Sequence, residues 1–501
     1  MSFNVTVVFS VFIALFLVFV FLGFYGSRFR RGNMNQLWDW ALAGRRLGPY
    51  LTFFLLGADW YTAYSILSVP SAVYAGGAFS FFAVTYQAMV FAFAIFFMPL
   101  LWIVAREKGY ITASDFIKDR FNSKTLSVLV ALIGIAALLP YIALQIVGMQ
   151  AVLASMLVGA SSSNVQDISL IIAFLILAAT TYTSGLRGAT LGAVYKDVLI
   201  WITLLSLVFL VFAHQGGFSG MFSNVQPKYL SFSPSLAAAF STSMLGTVLS
   251  AYLWPHNVNG SLSAQSPHRL RIGMSLAVLY AIPLALADLL GVAVYSSPAA
   301  LSFLSHFPPS FRGLVVIPAL AITYFPSWFV GVALLGIFVG GLVPASVMAI
   351  SQGNLFARNV VKQFKPNLSD KGEATIAKWT SAVAKFGALA LVFTVPATYS
   401  IQFFLVGSIF ILQILPALYI GLLSNWFRRE GLVAGLVVGS ALGLYLTLLA
   451  NKFGQITTTL YPTPLGSMYI GIIALAANLL VTIVISAAIP RKVAVTVQEP
   501  G

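Results

Sequence analysis

GADWYTAYSILSVPSAVYAGG, residues 57–77, is an apolar stretch of membrane-crossing length that breaks two rules of membrane helices. It carries a carboxylic acid, Asp59, where a charge at the bilayer centre costs at least ~2.5–3.5 kcal/mol. It also sets Tyr61, Thr62, Tyr64, Ser65 and Ser68 ahead of Pro70, so hydroxyls and a helix breaker meet in one place. Irregular backbone at membrane depth persists where it lines a cavity or is buried in protein, and an intramembrane acid marks a functional site by default. The plain alternative is a buried polar network that only locks helix packing.

The chain around this stretch settles the class. Of 501 residues, 59% are hydrophobic and 8% charged, against about 25% charged in ordinary soluble proteins. About 20 apolar residues cross a ~30 Å hydrocarbon core, and such runs follow one another along the whole chain, with no room for a separate soluble domain. The absence of cysteine excludes disulfides and thiolate metal sites. Thirteen crossings are expected, at 5–26, 49–74, 79–105, 125–158, 168–182, 189–213, 236–262, 274–295, 328–355, 376–395, 401–423, 432–449 and 468–488. The first is too long for a removable signal peptide and lacks its basic leader and cleavage site.

The net charge of +15 finds its explanation in topology. Of the 27 lysines and arginines, Lys228, Arg312 and Lys452 fall in one set of loops and the rest in the other. Cytoplasmic loops retain basic residues, so a plasma-membrane protein with its N-terminus outside and its C-terminus in the cytoplasm is expected. An anionic inner leaflet accounts for the basic excess without a nucleic-acid partner.

A second irregular crossing, 236–262, holds LGTVLSAYLWPHNVNGSLSAQS, with Pro255 inside an apolar run and His256, Asn257, Asn259 and Gly260 directly after it. Proline removes an amide and clashes with the carbonyl four residues back, so the helix must bend or break near Trp254. Two broken segments five crossings apart are the pattern of a transporter built from inverted repeats, with its site between them. The expected fold is thus an all-α polytopic membrane protein with a five-plus-five inverted-repeat core. Residues 1–48 form an extra helix and loop, 49–213 the first repeat, 214–424 the second, and 425–501 two further helices and a short tail.

Several motifs in order also resemble the sodium/solute symporter family, and within it the bacterial monocarboxylate permease branch. They are WALAGRRLGP (40–49), GADWYTAYSILSVP (57–70), ASDFIKDRF (113–121), LPYIALQIVGMQAVL (139–153), GLRGATLGAVYKDVLIW (185–201), WPHNVNGSLSAQS (254–266) and VGGLVPASVMAISQGNLFARN (339–359). The resemblance implies secondary active transport of a small organic solute, with a sodium ion or a proton as coupling ion and no other cofactor. In sodium-coupled relatives one cation sits between the break of the first core helix and two adjacent hydroxyl residues on the eighth core helix. The matching positions here are Val343 and Pro344, which offer no side-chain oxygen, whereas a hard cation wants several oxygen ligands. The backbone carbonyls of Ala58 and Tyr61 are the remaining metal ligands to consider, and Ser346 lies out of register. The usual sodium site is thereby in doubt, and a proton competes.

The titratable residues inside the membrane are few: Asp59, His256, Asp288, and the Lys196–Asp197 pair near a helix end. Histidine's ordinary pKa of about 6.5 suits a proton carrier, so Asp59 and His256 are the proton-coupling candidates. Asp288 reads as a packing or gating residue, and Lys196 with Asp197 as an ion pair or gate. Broken-helix N-termini favour an anion, and Tyr61, Thr62, Tyr64, Tyr141, Gln145, Trp254 and Asn257, with Asp59 and His256, are the candidate substrate-binding residues. Without an arginine at membrane depth they suit a short monocarboxylate such as pyruvate, lactate or acetate. A uniporter, a symporter of amino acids or another solute, a transporter-like sensor and a passive channel remain as alternatives. Phosphate-loop, paired-carboxylate and metal-ligand enzyme motifs are absent from the sequence, so an enzyme is not expected. The expected partners are a small organic anion and the bilayer; the oligomeric state is left open.

Overall fold

The structure, a computed structural model, describes residues 4–158, 163–393 and 400–489. The end of the tenth expected crossing, 394–395, and the tail beyond 489 lie outside the described residues. Among those described, nine helices have the length and hydropathy to cross a membrane, and the bent pair Phe404–Leu412 and Pro416–Leu423 makes a tenth. Two of the nine, Tyr64–Lys108 and Val165–His214, each run through two of the expected crossings. The first broken helix begins earlier, with Pro49–Ala58.

Gly185 divides the long helix Ser163–His214. Its backbone (φ 55°, ψ −142°) leaves the helical region for one that only glycine enters readily. A Cβ at this point would lie 2.2 Å from the carbonyl oxygen of Trp40. Trp40 is fully buried, and its indole Nε1 donates to Thr181 O at 3.0 Å. The turn is therefore formed against the short helix Leu37–Leu42, and Arg187, just past it, pairs with Asp39 inside the protein.

The helix Ser327–Asn354 stands at the centre, against Ser163–His214, Lys124–Met156, Val5–Tyr25 and Asp370–Val392. Its small residues permit this close packing: a Cβ at Gly341 would meet the backbone oxygen of Gln145 at 2.8 Å. On the outside, Phe96, Phe209, Val383 and Leu480 are 63–72% exposed, as lipid-facing residues must be where the solvent is hydrocarbon.

Three features differ from the sequence reading. Short helices Pro298–Ser305, Pro309–Arg312 and Val316–Tyr324 occupy the connection between the eighth and ninth expected crossings. An antiparallel hairpin, Leu460–Thr463 with Gly466–Tyr469, precedes the last helix. Lys196 and Lys385, counted above with the loop cations, are wholly buried within the bundle.

The basic end of the bundle is tied by an ionic layer. Arg358 reaches Asp115 (3.4 Å) and Glu373 (3.2 Å), Lys362 also pairs with Glu373, and Asn359 donates to Asp115 Oδ1 at 2.9 Å. Arg45 caps the helix Phe82–Lys108 by donating to Ala105 O at 3.2 Å, and burial together with Arg106 draws its guanidinium down to about 10. It still carries its charge at neutral pH.

The charge asymmetry predicts which end faces the cytoplasm. Because the chain has no cysteine, single Ser231→Cys and Lys371→Cys variants report sidedness directly. An impermeant maleimide applied to intact cells should label the first and spare the second; the reverse pattern contradicts the orientation.

Candidate substrate and cation site at two helix breaks

The backbone ladder of the first broken helix opens between Asp59 and Ala63. Pro49–Ala58 ends with Asp59, Trp60 and Tyr61 donating back to Leu56 and Gly57. A π-helical turn, Tyr64–Ser68, resumes the helix and leads into Val69–Gly76. Pro70 has no amide to give, and Val69 N–H reaches five residues back to Tyr64 O. Buried backbone groups must be paired, and side chains supply the missing partners here. Gln145 Oε1 accepts from Ala63 N–H (2.9 Å), Thr62 Oγ1 accepts from Tyr64 N–H (3.1 Å), and Ser65 donates to Trp60 O.

The second break lies where the proline placed it. Ala237–Ser250 passes into a 3-10 turn at Ala251–Leu253, Trp254 is extended (φ −60°, ψ 130°), and the helix restarts with Pro255 at its first turn. The residue before a proline is pushed out of the helical region by the ring, and Asn257 Nδ2 bridges the gap by donating to Ala251 O at 2.7 Å. Below it, Asn259 donates to Ala41 O and accepts from Asn354 at 3.0 Å.

Both breaks face one enclosed cavity, lined by Asp59, Trp60, Tyr64, Ser65, Tyr86, Tyr141, Ala251, Trp254, His256, Asn257 and Phe404. About 10 Å³ is free for the centre of a water molecule, close to the space of one water, so a larger guest enters only when side chains move. Part of the wall is aromatic: Trp254 stacks on Phe404 at 5.9 Å, and Tyr141 lies 5.1 Å from each of them. His256 sits edge-on to Tyr141 at 5.6 Å. Both Asp59 carboxylate oxygens, His256 Nδ1 and Asn257 Oδ1 are buried and have no hydrogen-bond partner among the described residues.

The profile of the sodium:solute symporter family matches residues 40–439. The chain belongs to that family. A monocarboxylate transport permease protein of Rhizobium johnstonii is 37% identical over 492 residues, 96% of this chain and 97% of that one. An uncharacterised symporter of Bacillus subtilis, YodF, is 30% identical over 478 residues, 94% of this chain and 91% of its own length. A Na+-coupled sialic acid symporter, solved in a substrate-bound outward-open state, superposes with a TM-score of 0.78 at 14% identity over 97% of this chain and 98% of that one. That likeness shows the fold alone. Family and neighbours are transporters of small solutes in the membrane, and not enzymes.

For this symporter the structure brings together six of the nine residues singled out in the sequence: Asp59, Tyr64, Tyr141, Trp254, His256 and Asn257. The other three are engaged elsewhere. Gln145 spends its amide on Ala63 N–H and Tyr141 O, Thr62 turns its hydroxyl to the Tyr64 amide, and Tyr61 points away to donate to Tyr280 O at 2.9 Å. The carbonyls of Ala58 and Tyr61, considered above as sodium ligands, instead both accept from Lys196 Nζ, at 3.1 and 2.6 Å. The ion pair read for Lys196 and Asp197 is present at 2.9 Å, but its ammonium lies at the first helix break and not at a helix end. Ser346 is bonded to Thr181 at 2.9 Å. Asp288 is buried with neither oxygen partnered among the described residues, on a helix whose Gly291 packs against Pro70 O.

Phe404, Tyr86 and Lys196 were missed as parts of the site. Phe404 stands in a featureless apolar crossing and Tyr86 looks like core. Lys196 did carry a signal, a cation in the middle of an apolar helix, which calls for a buried acceptor.

Gln145→Ala leaves the Ala63 amide without an acceptor, at a cost of about 1–3 kcal/mol. A thermal-shift measurement should show a lowered Tm for the purified variant. An unchanged Tm in Gln145→Ala would show that the opened ladder is held by other means.

Proposed function

We propose that this protein is a cation-coupled symporter of a short monocarboxylate of the pyruvate, lactate or acetate class, driven at least in part by protons. One observation carries the reading: the cavity shared by the two helix breaks holds two titratable side chains, Asp59 and His256, whose carboxylate oxygens and Nδ1 have no hydrogen-bond partner among the described residues, and no lysine or arginine lines it. An anion next to an ionised Asp59 in a low-dielectric space is repelled. With Asp59 protonated, its O–H becomes a donor to the incoming carboxylate, so anion and proton enter together. The first turn of the helix starting at Pro255 presents its amides and positive dipole end to the same space. Tyr64, Tyr141 and Asn257 add neutral polar groups, and Trp254 and Phe404 cover the apolar end of a small substrate.

The two stretches 49–213 and 214–424 act as repeats that rock about this cavity, each contributing one break. The permease name of the Rhizobium relative agrees with a monocarboxylate substrate, and the absent hydroxyls at Val343 and Pro344 weigh against the usual sodium site. The protein works in the plasma membrane with its N-terminus outside.

In proteoliposomes, an inward proton gradient should drive accumulation of radiolabelled pyruvate or lactate, and a protonophore should abolish it. Asp59→Asn should lose gradient-driven accumulation, and His256→Ala should lower the uptake rate by about tenfold or more, the scale of one lost charged hydrogen bond. Strict sodium dependence with no response to pH defeats the proton reading. Rapid equilibration without accumulation under either gradient makes the protein a uniporter.

A further inference from the structure

Lys196 lies on the long helix Ser163–His214 with its side chain wholly buried. Its Nζ sits 3.1 Å from Ala58 O, 2.6 Å from Tyr61 O and 2.9 Å from Asp197 Oδ1. An ammonium has three N–H groups, and three oxygens surround it. One carbonyl ends the helix Pro49–Ala58 and the other lies within the opened stretch, and both dipoles point at the ammonium. Asp197 is held by Tyr280, whose hydroxyl donates to Oδ2 at 2.6 Å, and Tyr61 in turn donates to Tyr280 O. The charged and titratable groups facing Lys196 are therefore Asp197 on its own helix, Asp59 and Tyr61 on the first broken helix, and Tyr280 behind Asp197. The central helix Ser327–Asn354 brings none, since it contains no titratable residue. It offers Val343, whose methyl packs over Gly192, one helical turn from Lys196.

Two carbonyls and a carboxylate around one unit of positive charge are also what a hard monovalent cation requires. An ammonium and a metal ion cannot share that space, and the ammonium is covalently attached, so its local concentration exceeds that of any dissolved competitor. We propose that the Lys196 ammonium is a tethered cation that fills the carbonyl site at the first helix break in place of sodium, and that removing it opens this site to sodium. The break is then clamped to the helix Ser163–His214 by a permanent link and not by an ion that arrives with the substrate. This deepens the coupling reading above, and places the exclusion of sodium in one side chain.

The test uses full-length protein in nanodiscs and radioactive sodium as the probe, with no carboxylate present. Wild type should show no saturable sodium binding. Lys196→Ser, which removes the ammonium and leaves a hydroxyl, should bind sodium saturably, about tenfold or more above wild type at the same concentration, and sodium should raise its Tm. Saturable binding to wild type overturns the proposal, and so does a folded Lys196→Ser variant that gains none. Lys196→Met, which keeps the stem in place of the ammonium, should gain less than Lys196→Ser; an equal or larger gain would locate the new site elsewhere. If neither variant folds, wild type alone decides, because sodium binding there contradicts a site already filled. Failure of wild type to transport monocarboxylates would count against the substrate reading and leave the sodium result standing.

Discussion

The structure depends on an interrupted hydrogen-bond ladder between Asp59 and Ala63 in a place without water to repair it. An unpaired backbone group in hydrocarbon costs several kcal/mol, so the interruption exists only because neighbouring helices answer it. Gln145 from Lys124–Met156 answers the Ala63 amide, and Lys196 from Ser163–His214 answers the Ala58 and Tyr61 carbonyls. Three helices are thereby positioned against one another by backbone atoms of a single stretch. The cavity follows, because the opened turn holds Asp59 away from a regular helix and directs it toward the second break.

Two breaks in one cavity suit a carrier better than a pore. Each broken helix has halves that can pivot on either side of the gap, and the cavity in this structure is closed over by Trp254, Tyr141 and Phe404. Below it, Asn259 and Asn354 and then the Asp115–Arg358–Glu373 layer fasten the basic end. Opening toward that end means separating charged pairs, whereas opening toward the aromatic cover means moving rings. These are two separate barriers.

The class, the breaks and much of the cavity were legible in the sequence because each depends on local chemistry. Pro255 dictates a break near Trp254 wherever the helix lies, and an acid such as Asp59 at membrane depth demands a special environment. What could not be read was the use of each polar atom. Gln145, Thr62 and Tyr61 have the right chemistry for a substrate, but their hydrogen bonds go to backbone that only the fold brings near. Lys196 was read from its chain position as lying at a helix end, whereas its long stem carries the ammonium to the bundle's centre. Phe404 has no mark in the sequence, since one phenylalanine among many reveals nothing of the cavity it closes. Nothing in the sequence distinguishes Gly185 among 40 glycines; the Trp40 carbonyl packed against it does.

Substrate binding between the two breaks is tested most directly by an experimental structure with a bromine-tagged short carboxylate such as 2-bromopropionate. Anomalous signal from bromine is expected against Trp254 and Phe404, with the carboxylate turned toward Asp59 and His256. Bromine signal away from this cavity, or none in it at saturating ligand, would refute binding between the breaks.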